Sequence, residues 1–201
     1  MRLLVSRLCI DRGGRRILSD VSFELRHGAL LVTGENGTGK SSLLRVLAGL
    51  LPPSEGTVTI DEVGEDDTPA HYLGHRDALK PQLTARENLA FAAGFLNAET
   101  RGLDPLDALA AVGLSAASEV PAGWLSSGQK RRVALARLLV APRPLWLLDE
   151  PTTGLDAASV ARFEALAADH VARGGLIVAA THLPLRLPAQ ELRLTALPDE
   201  A

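Results

Sequence analysis

The sequence is short of several kinds of residue, and each shortage excludes a class of protein. Its one cysteine, Cys9, cannot form an internal disulfide, and its apolar, strand-like surroundings favour a plain core thiol over a reactive one. Aromatic residues make up only 3% of the chain, so alanine and leucine must fill the core. No apolar run approaches the roughly 20 residues that a membrane-spanning helix needs, and arginines interrupt the apolar N-terminus. We therefore expect neither a membrane span nor a signal peptide.

The chain also lacks a strong excess of charge. Its 21 basic and 24 acidic residues leave a net charge of -3, so no global positive field favours nucleic acid or an anionic membrane as a partner. Any anion must therefore be bound locally. With 201 residues, 46% of them apolar, the chain is long enough to bury a core without disulfides or metals.

The order of apolar segments and turn residues predicts an α/β fold. Residues 2–10 and 21–26 alternate like the strands of an antiparallel hairpin. The apolar strand 29–33 leads into a glycine-rich loop and a helix that ends near Gly49. Further short apolar segments, each bounded by helix- and strand-breaking residues, predict buried parallel strands at 56–60, 145–149 and 175–180.

Between about residues 82 and 141 the pattern changes to helices rich in alanine and leucine. Strands before and after this region, with a glycine-rich loop after an early strand, predict a three-layer α/β core. We expect an α/β core with an antiparallel β subdomain and an inserted helical subdomain, all in one domain over residues 1–201.

Residues 34–41 read GENGTGKS and match G-x-x-x-x-G-K-[ST], the P-loop pattern, between a predicted strand and a predicted helix. Glycines let backbone amides approach phosphate oxygens, and the helix N-terminus adds partial positive charge. Lys40 would then lie on the β- and γ-phosphates of ATP, and the Ser41 hydroxyl would bind Mg²⁺. A glycine-rich turn with an incidental lysine is the alternative, but a chance match is roughly a 1% event. The predicted nucleotide-binding residues in this stretch are Gly34, Glu35, Asn36, Gly37, Thr38, Gly39, Lys40, Ser41 and Ser42.

The segment LWLLDE places two acids where a buried strand ends. Asp149 would hold Mg²⁺, and Glu150 would act as the general base for an attacking water. Acid pairs at strand ends are often solvated loop starts. The P-loop earlier in the chain favours the catalytic interpretation.

The motif LSSGQKRR at 125–132 lies between these two elements, and PTTGLD and THLP follow them. Read together, the motifs resemble those of the ATP-binding cassette family, whose signature is usually LSGGQ. The resemblance implies an α/β fold with a P-loop NTPase core of the ABC ATPase type, an antiparallel β subdomain and a helical signature subdomain. The resemblance implies that the signature loop caps the γ-phosphate of ATP bound by the opposite protomer of a head-to-tail dimer. Ser126 and Ser127 can also cap the following helix, which is the ordinary structural interpretation. The signature residues predicted to contact nucleotide are Ser126, Ser127, Gly128 and Gln129.

The same resemblance implies two further site residues. Asp156 looks like part of the D-loop that runs between protomers, and His182 looks like the switch histidine that contacts the γ-phosphate. A lone histidine after a strand is otherwise most often a surface residue. The charge run Lys130, Arg131 and Arg132 is interpreted as a solvated helix face.

Ser127 replaces the first glycine of the usual signature, and two further positions depart from the cassette pattern. Arg12 stands where the family normally has an aromatic residue that stacks on adenine, and its planar guanidinium can also stack on a ring. His75 stands where a glutamine normally senses Mg²⁺ and the membrane partner. We therefore expect Arg12 to bind the base and His75 to lie at the metal.

The stretch from YLGH to LTARENL, together with RGGRRIL and THLPLRLP, is similar to the ATP-binding subunits of bacterial cytochrome c biogenesis haem exporters. That resemblance implies integral membrane subunits as partners and a peripheral position on the cytoplasmic face of the inner membrane. Coupling would pass through the segment from His75 to Asn88. Hydrolysis would drive haem export, or release of a haem-loaded chaperone, which is an indirect partner. The chain has no CxxCH motif for haem attachment.

Two other functions stay open. The chain could be the cassette of an exporter with another cargo. It could also be a soluble cassette protein that remodels other molecules, although such proteins usually carry two cassettes or a long coiled-coil insertion, and this chain has neither.

Overall fold

The computed structural model describes residues 1–61, 69–96 and 102–197. In chain order its elements are β1 (Arg2–Arg12), β2 (Arg15–Leu25), β3 (Gly28–Thr33), α1 (Lys40–Leu47), β4 (Glu55–Asp61), β5 (Ala70–Leu73), α2 (Ala85–Phe95), α3 (Pro105–Ala111), α4 (Ser127–Val140), β6 (Leu145–Asp149), α5 (Ala157–Ala172), β7 (Leu176–Ala180) and β8 (Ala189–Arg193). They fall into two compact units. The first unit comprises residues 1–74, 144–150 and 168–201, and the second comprises 75–143 and 151–167. The predicted insertion at about 82–141 includes residues 97–101, which lie outside the described residues.

The first unit begins with a three-stranded antiparallel sheet in the order β2-β1-β4. Its hairpin turns at Gly13 and Gly14, whose positive φ angles of 59° and 77° suit glycine. The second strand therefore starts at Arg15, earlier than predicted, because the arginines after the turn pair with the end of β1. The residues at this end of the hairpin are polar and exposed, so they lack the apolar alternation from which a strand is predicted.

The prediction of a buried parallel strand at 56–60 is wrong. This segment is β4, which runs antiparallel to β1 at the edge of the sheet. Thr57 and Thr59 are exposed, whereas Val58 and Ile60 are partly buried. That alternation is typical of a strand with one face in contact with a core.

The second sheet of this unit is fully parallel, in the order β5-β6-β7-β3-β8. Every residue of β6 and β7 is buried, as expected for central strands of a parallel sheet. The predicted strands at 29–33, 145–149 and 175–180 are confirmed. The edge strands β5 and β8 and the helix α5 were not predicted. With its antiparallel, parallel and helical parts, the architecture confirms the predicted α/β class.

Cys9 belongs to the core of the first unit. It is buried in β1, where its Sγ accepts a hydrogen bond from the backbone N–H of Asp20 at 3.4 Å. The thiol therefore packs like a small apolar side chain, as predicted.

Helices make up most of the second unit. The side chains of Thr84 and Glu87 form a capping box at the start of α2, and Asp104 caps α3 just before Pro105. Helix α4 packs against both α2 and α3. Ala108, Ala134 and Ala136 are fully buried there, so the helices approach closely despite the shortage of aromatic residues. Within the described residues, no helix has the length and apolarity that crossing a bilayer requires.

A partly buried histidine of the first unit, His170, stacks on the buried Trp146. The rings of His170 and Trp146 stack with centroids 3.9 Å apart and planes 11° from parallel. Gly175 lies against the same ring so closely that a Cβ there would clash with the imidazole. Burial lowers the pKa of His170, and a hydrogen bond to the Leu176 carbonyl opposes this shift only in part.

The lowered pKa predicts how stability varies with pH. Between the reduced pKa in the folded state and the ordinary value of about 6.5, the unfolded chain binds the proton more readily. Stability should therefore fall as the pH drops below about 6.5. In His170→Phe, which can still stack, this part of the dependence should disappear. Urea unfolding of the parent and the variant between pH 5 and pH 8 measures the difference, with His27→Gln, at an exposed histidine, as the control. An unchanged slope in His170→Phe would contradict the prediction.

Candidate nucleotide site

Three loops of the first unit meet at one edge of the parallel sheet. The predicted P-loop follows β3, Glu150 follows β6, and His182 lies two residues after β7. These strands are neighbours in the order β6-β7-β3 and run in the same direction. Their carboxyl ends therefore share one edge, which is where open α/β sheets bind ligands.

The shape of the P-loop depends on two crowded glycines. At Gly34, with φ of 138°, a Cβ would clash with the Leu194 carbonyl oxygen and lie 2.9 Å from Thr38 Oγ1. At Gly39, with φ of 96°, a Cβ would lie 2.8 Å from the Leu18 side chain. Only glycine fits both the backbone conformation and the space. These neighbours were not predicted, because they come from β2 and from the segment after β8, far away in the sequence.

Lys40 points its ammonium group into the loop. Nζ donates hydrogen bonds to the carbonyls of Gly34 at 2.7 Å and Glu35 at 2.8 Å, and the side chain is largely buried. Thr38 Oγ1 also donates to the Glu35 carbonyl, at 2.9 Å. The loop thus holds a positive charge at its centre, where an anion can compete for it.

Helix α1 starts at Lys40, and no side chain caps its N-terminus, where Gly39 is the N-cap residue. Its first-turn amides face the loop and supply partial positive charge. Ser41 is partly exposed and Ser42 is buried. Glu35, Asn36 and Gly37 form the exposed side of the loop. The arrangement suits several phosphate oxygens at once.

The two acids at the end of β6 lie in different environments. Asp149 is buried, with 4% of its surface exposed. Glu150 has a positive φ of 49°, and its backbone N–H donates to the Ala180 carbonyl at 2.8 Å. A left-handed conformation costs a residue with a side chain about 1–3 kcal/mol and is often found at functional sites.

His182 contacts Glu150 directly. Its Nδ1 lies 2.9 Å from Glu150 Oε1, and the Glu150 side chain is only 15% exposed, against 61% for His182. Just before it, the buried Thr181 exchanges hydrogen bonds with the backbone of Leu183 at 3.0 Å. His182 therefore lies in a turn that the hydrogen bonds between Thr181 and Leu183 hold in place.

The donor set fits Mg²⁺ better than a metal that needs a full protein cage. Among the described residues, no group of three or more histidine, cysteine or acidic side chains could hold a metal. Asp149 and the Ser41 hydroxyl offer oxygen atoms at the sheet edge. Mg²⁺ is typically held by one or two carboxylates together with phosphates and water.

Arg12 also belongs to the first unit. It is exposed at the end of β1, and its register partner is Arg15 across the hairpin turn. Ile17 and Leu18, on the second strand of this hairpin, pack against Gly39 of the P-loop. The hairpin thus adjoins the loop, and a base-binding role for Arg12 stays a prediction.

The signature motif lies in the second unit, at the start of α4. Ser126 is the N-cap residue, and its Oγ accepts a hydrogen bond from the Gln129 N–H at 3.2 Å, while Gln129 Oε1 accepts from the Ser126 N–H at 2.8 Å. Ser127 is the first helical residue and is exposed. Only Ser126 therefore caps the helix, and the expected capping by Ser127 is wrong.

Gly128 allows a close contact inside the second unit. A Cβ at this position would lie 2.8 Å from the carbonyl oxygen of Gly154. Asp156 follows in the same turn and caps α5, with its Oδ1 accepting from the Ser159 N–H at 2.7 Å. Hydrogen bonds from the backbone and the hydroxyl of Ser159 lower the pKa of Asp156. The structure thus joins two motifs that the sequence separates by over twenty residues.

The interpretation of 130–132 as a solvated face is wrong for Arg131, which is only 4% exposed. The signal was present, because Arg131, Ala134 and Leu138 recur at helical spacing and all are buried. His75, also in the second unit, is exposed. Its assignment to the metal remains a prediction.

Comparisons with known proteins agree with this geometry. The family model described as ABC transporter matches residues 18–153. The chain is also 55% identical over 190 residues to the cytochrome c biogenesis ATP-binding export protein CcmA of Rhodopseudomonas palustris, covering 92% of this chain and 94% of that protein.

Solved structures show the same fold. A putative ABC transporter ATP-binding protein from Pyrococcus furiosus superimposes with a TM-score of 0.82 at 20% identity, over 96% of this chain and 98% of that one. A bacterial ABC transporter cassette solved as a dimer, MJ0796, gives 0.81 at 24% identity, over 96% and 94% of the two chains. The chain therefore belongs to the ABC transporter family of ATP-binding proteins.

Proposed function

We propose that this chain is the ATP-hydrolysing subunit of a bacterial cytochrome c biogenesis export complex. The observation that carries the hydrolytic part is the meeting of the P-loop, Asp149, Glu150 and His182 at one sheet edge. The extensive identity to an export protein of cytochrome c biogenesis supports the biological role. The proposal includes MgATP as substrate and a peripheral position on the cytoplasmic face of the inner membrane.

The P-loop would bind the phosphates of ATP. Lys40 would exchange its two carbonyl partners for β- and γ-phosphate oxygens, and the amides of the loop and of α1 would donate to the remaining oxygens. Ser41 and Asp149 would hold Mg²⁺, which neutralises charge on the phosphates.

Glu150 would act as the general base. Its carboxylate accepts a proton from the attacking water, and the contact with His182 keeps the carboxylate oriented before reaction. His182 would also contact the γ-phosphate. Transfer of the γ-phosphoryl group to water depends mainly on positioning and charge stabilisation. Small displacements of Glu150 or His182 would therefore reduce the rate strongly.

The second unit would complete the site of another copy. We propose a head-to-tail dimer in which the loop of Ser126, Ser127, Gly128 and Gln129 meets ATP held by the partner's P-loop, with Asp156 between protomers. The exposed Ser127 and the start of α4 offer donors for this contact. Arg12 would stack on the base. His75 would act where Mg²⁺ and the integral membrane subunits are sensed, and hydrolysis would drive haem export or release of a haem-loaded chaperone.

Glu150→Gln should bind MgATP but lose turnover, because an amide cannot accept the proton. We expect kcat to fall by about 100-fold or more, with an ATP-dependent dimer accumulating. Steady-state ATPase assays and size-exclusion chromatography with MgATP measure both effects. Glu119→Gln makes the same chemical change at an exposed position and serves as the control. Full retained turnover in Glu150→Gln would refute the base assignment.

Lys40→Ala should weaken the binding of MgATP itself, in addition to any effect on the rate of hydrolysis. Loss of charged hydrogen bonds to phosphate should raise the Kd for MgATP by about tenfold or more. Calorimetric titration tests this, with Arg45→Ala on the exposed face of α1 as the matched loss of a cation. An unaltered Kd in Lys40→Ala would count against the P-loop assignment.

The biological role predicts a specific defect. A strain in which this gene is deleted should lose its c-type cytochromes, as detected by haem staining. Expression of the parent chain should restore them, and expression of Glu150→Gln should not. Persistent c-type cytochromes in the deletion strain would assign the ATPase to another cargo.

A further inference from the structure

Arg131 is a buried charge that the proposed mechanism does not use. It lies in the first turns of α4, two residues after the signature motif, and is 4% exposed. Taking a guanidinium out of water costs several kcal/mol unless it is paired and hydrogen-bonded. A buried arginine on a helix surface therefore indicates specific partners.

Two of its partners come from two other segments of the second unit. Its Nη1 donates to Asp77 Oδ1 at 3.1 Å, and its Nε donates to the Pro151 carbonyl at 3.1 Å. Asp77 follows His75 by two residues, and the peptide bond joins Pro151 to Glu150. One side chain thus connects the helix of the signature motif with the segment after His75 and with the residue after the proposed base.

The segment around Asp77 has a defined conformation. Ala78 has a positive φ of 50°, and its carbonyl accepts a hydrogen bond from Arg137 of α4 at 3.4 Å. The Asn88 side chain bonds both the N–H and the carbonyl of Lys80, at 2.8 and 3.1 Å. A left-handed alanine persists only where its surroundings fix it. The chain just after Asp77 is therefore held by Arg137 and Asn88, and a shift of this segment must move Arg131 or break its ion pair.

The chemistry requires arginine in particular. Arg131 uses two different nitrogens in one plane for two of its partners, a carboxylate and a carbonyl. Lysine has a single ammonium group and cannot reproduce this planar arrangement of donors. A conservative change from arginine to lysine keeps the charge but breaks the connection.

We propose that Arg131 is a positioning residue for hydrolysis: through the Pro151 carbonyl it fixes the chain next to Glu150, and through Asp77 it ties that position to the segment after His75. The proposal rests on the proposed ATPase activity and on Glu150 as its base. Displacement of the segment 75–80 by a membrane subunit would then change the rate of hydrolysis without changing the nucleotide-binding groups.

The experiment compares Arg131→Lys, Arg131→Met, Asp77→Asn and the double variant Arg131→Lys/Asp77→Asn in the full chain. We expect kcat to fall about tenfold in Arg131→Lys, while the KM and the Kd for MgATP stay within about twofold of the parent. If the ion pair is the connection, the double variant should be no worse than the weaker single variant. The next residue, Arg132, is partly buried and donates a hydrogen bond to the Gly113 carbonyl at 3.0 Å. Arg132→Lys is the matched control and should keep the parent kcat.

Rates are expressed per nucleotide-binding site, so that unfolded protein is not counted as slow enzyme. A merely structural role would lower the melting temperature and the number of sites but leave kcat per site unchanged, and this result would overturn the proposal. A rise in KM alone would overturn it as well. If Arg131→Met fails to fold, Arg131→Lys and Asp77→Asn still decide the outcome. Absence of ATPase activity in the parent would instead refute the proposed function.

Discussion

The parallel direction of β3, β6 and β7 is the constraint on which the site depends. Because these three strands run the same way side by side, the residues that follow them are delivered to one edge of the sheet. A cation, a buried carboxylate, a strained glutamate and a histidine thus come together from parts of the chain more than a hundred residues apart. Every residue of β6 and β7 is buried, so the strands that lead to these groups are covered on both faces.

The fold was predictable where a single strand or helix carries its own pattern. Segments 29–33, 145–149 and 175–180 are almost entirely apolar, and the helices within 82–141 are rich in alanine and leucine, so local sequence predicts them. Helix α5 was missed although Asp156 caps it. Two edge strands were missed or misread because most of their residues face solvent: β8 reads AQELR, and β4 alternates threonine with apolar residues. Their strand character depends on hydrogen bonds to neighbours, which no local pattern records.

For the candidate site as well, the sequence predicted local motifs but not long-range contacts. The P-loop and the acid pair could be located from sequence, because phosphate chemistry requires those residue types at that spacing. The contacts that hold these two motifs in place could not be predicted from sequence. Leu18 of β2 and Leu194, just after β8, enclose the P-loop glycines. Gly128 contacts Gly154, and Arg131 is paired rather than solvated. Local charge is thus a poor guide to burial when a helix turns one of its arginines inward.

The burial of Cys9 has a practical consequence for spectroscopy of this protein. Since it is the chain's sole thiol and packs inside the antiparallel sheet, reagents that alkylate exposed sulfhydryls should leave the native chain unmodified. A cysteine introduced at the exposed Ser127 would then carry a fluorophore or spin label at one known position. Distances between such labels on two copies could report how the signature loops move through the nucleotide cycle, without first removing any native residue.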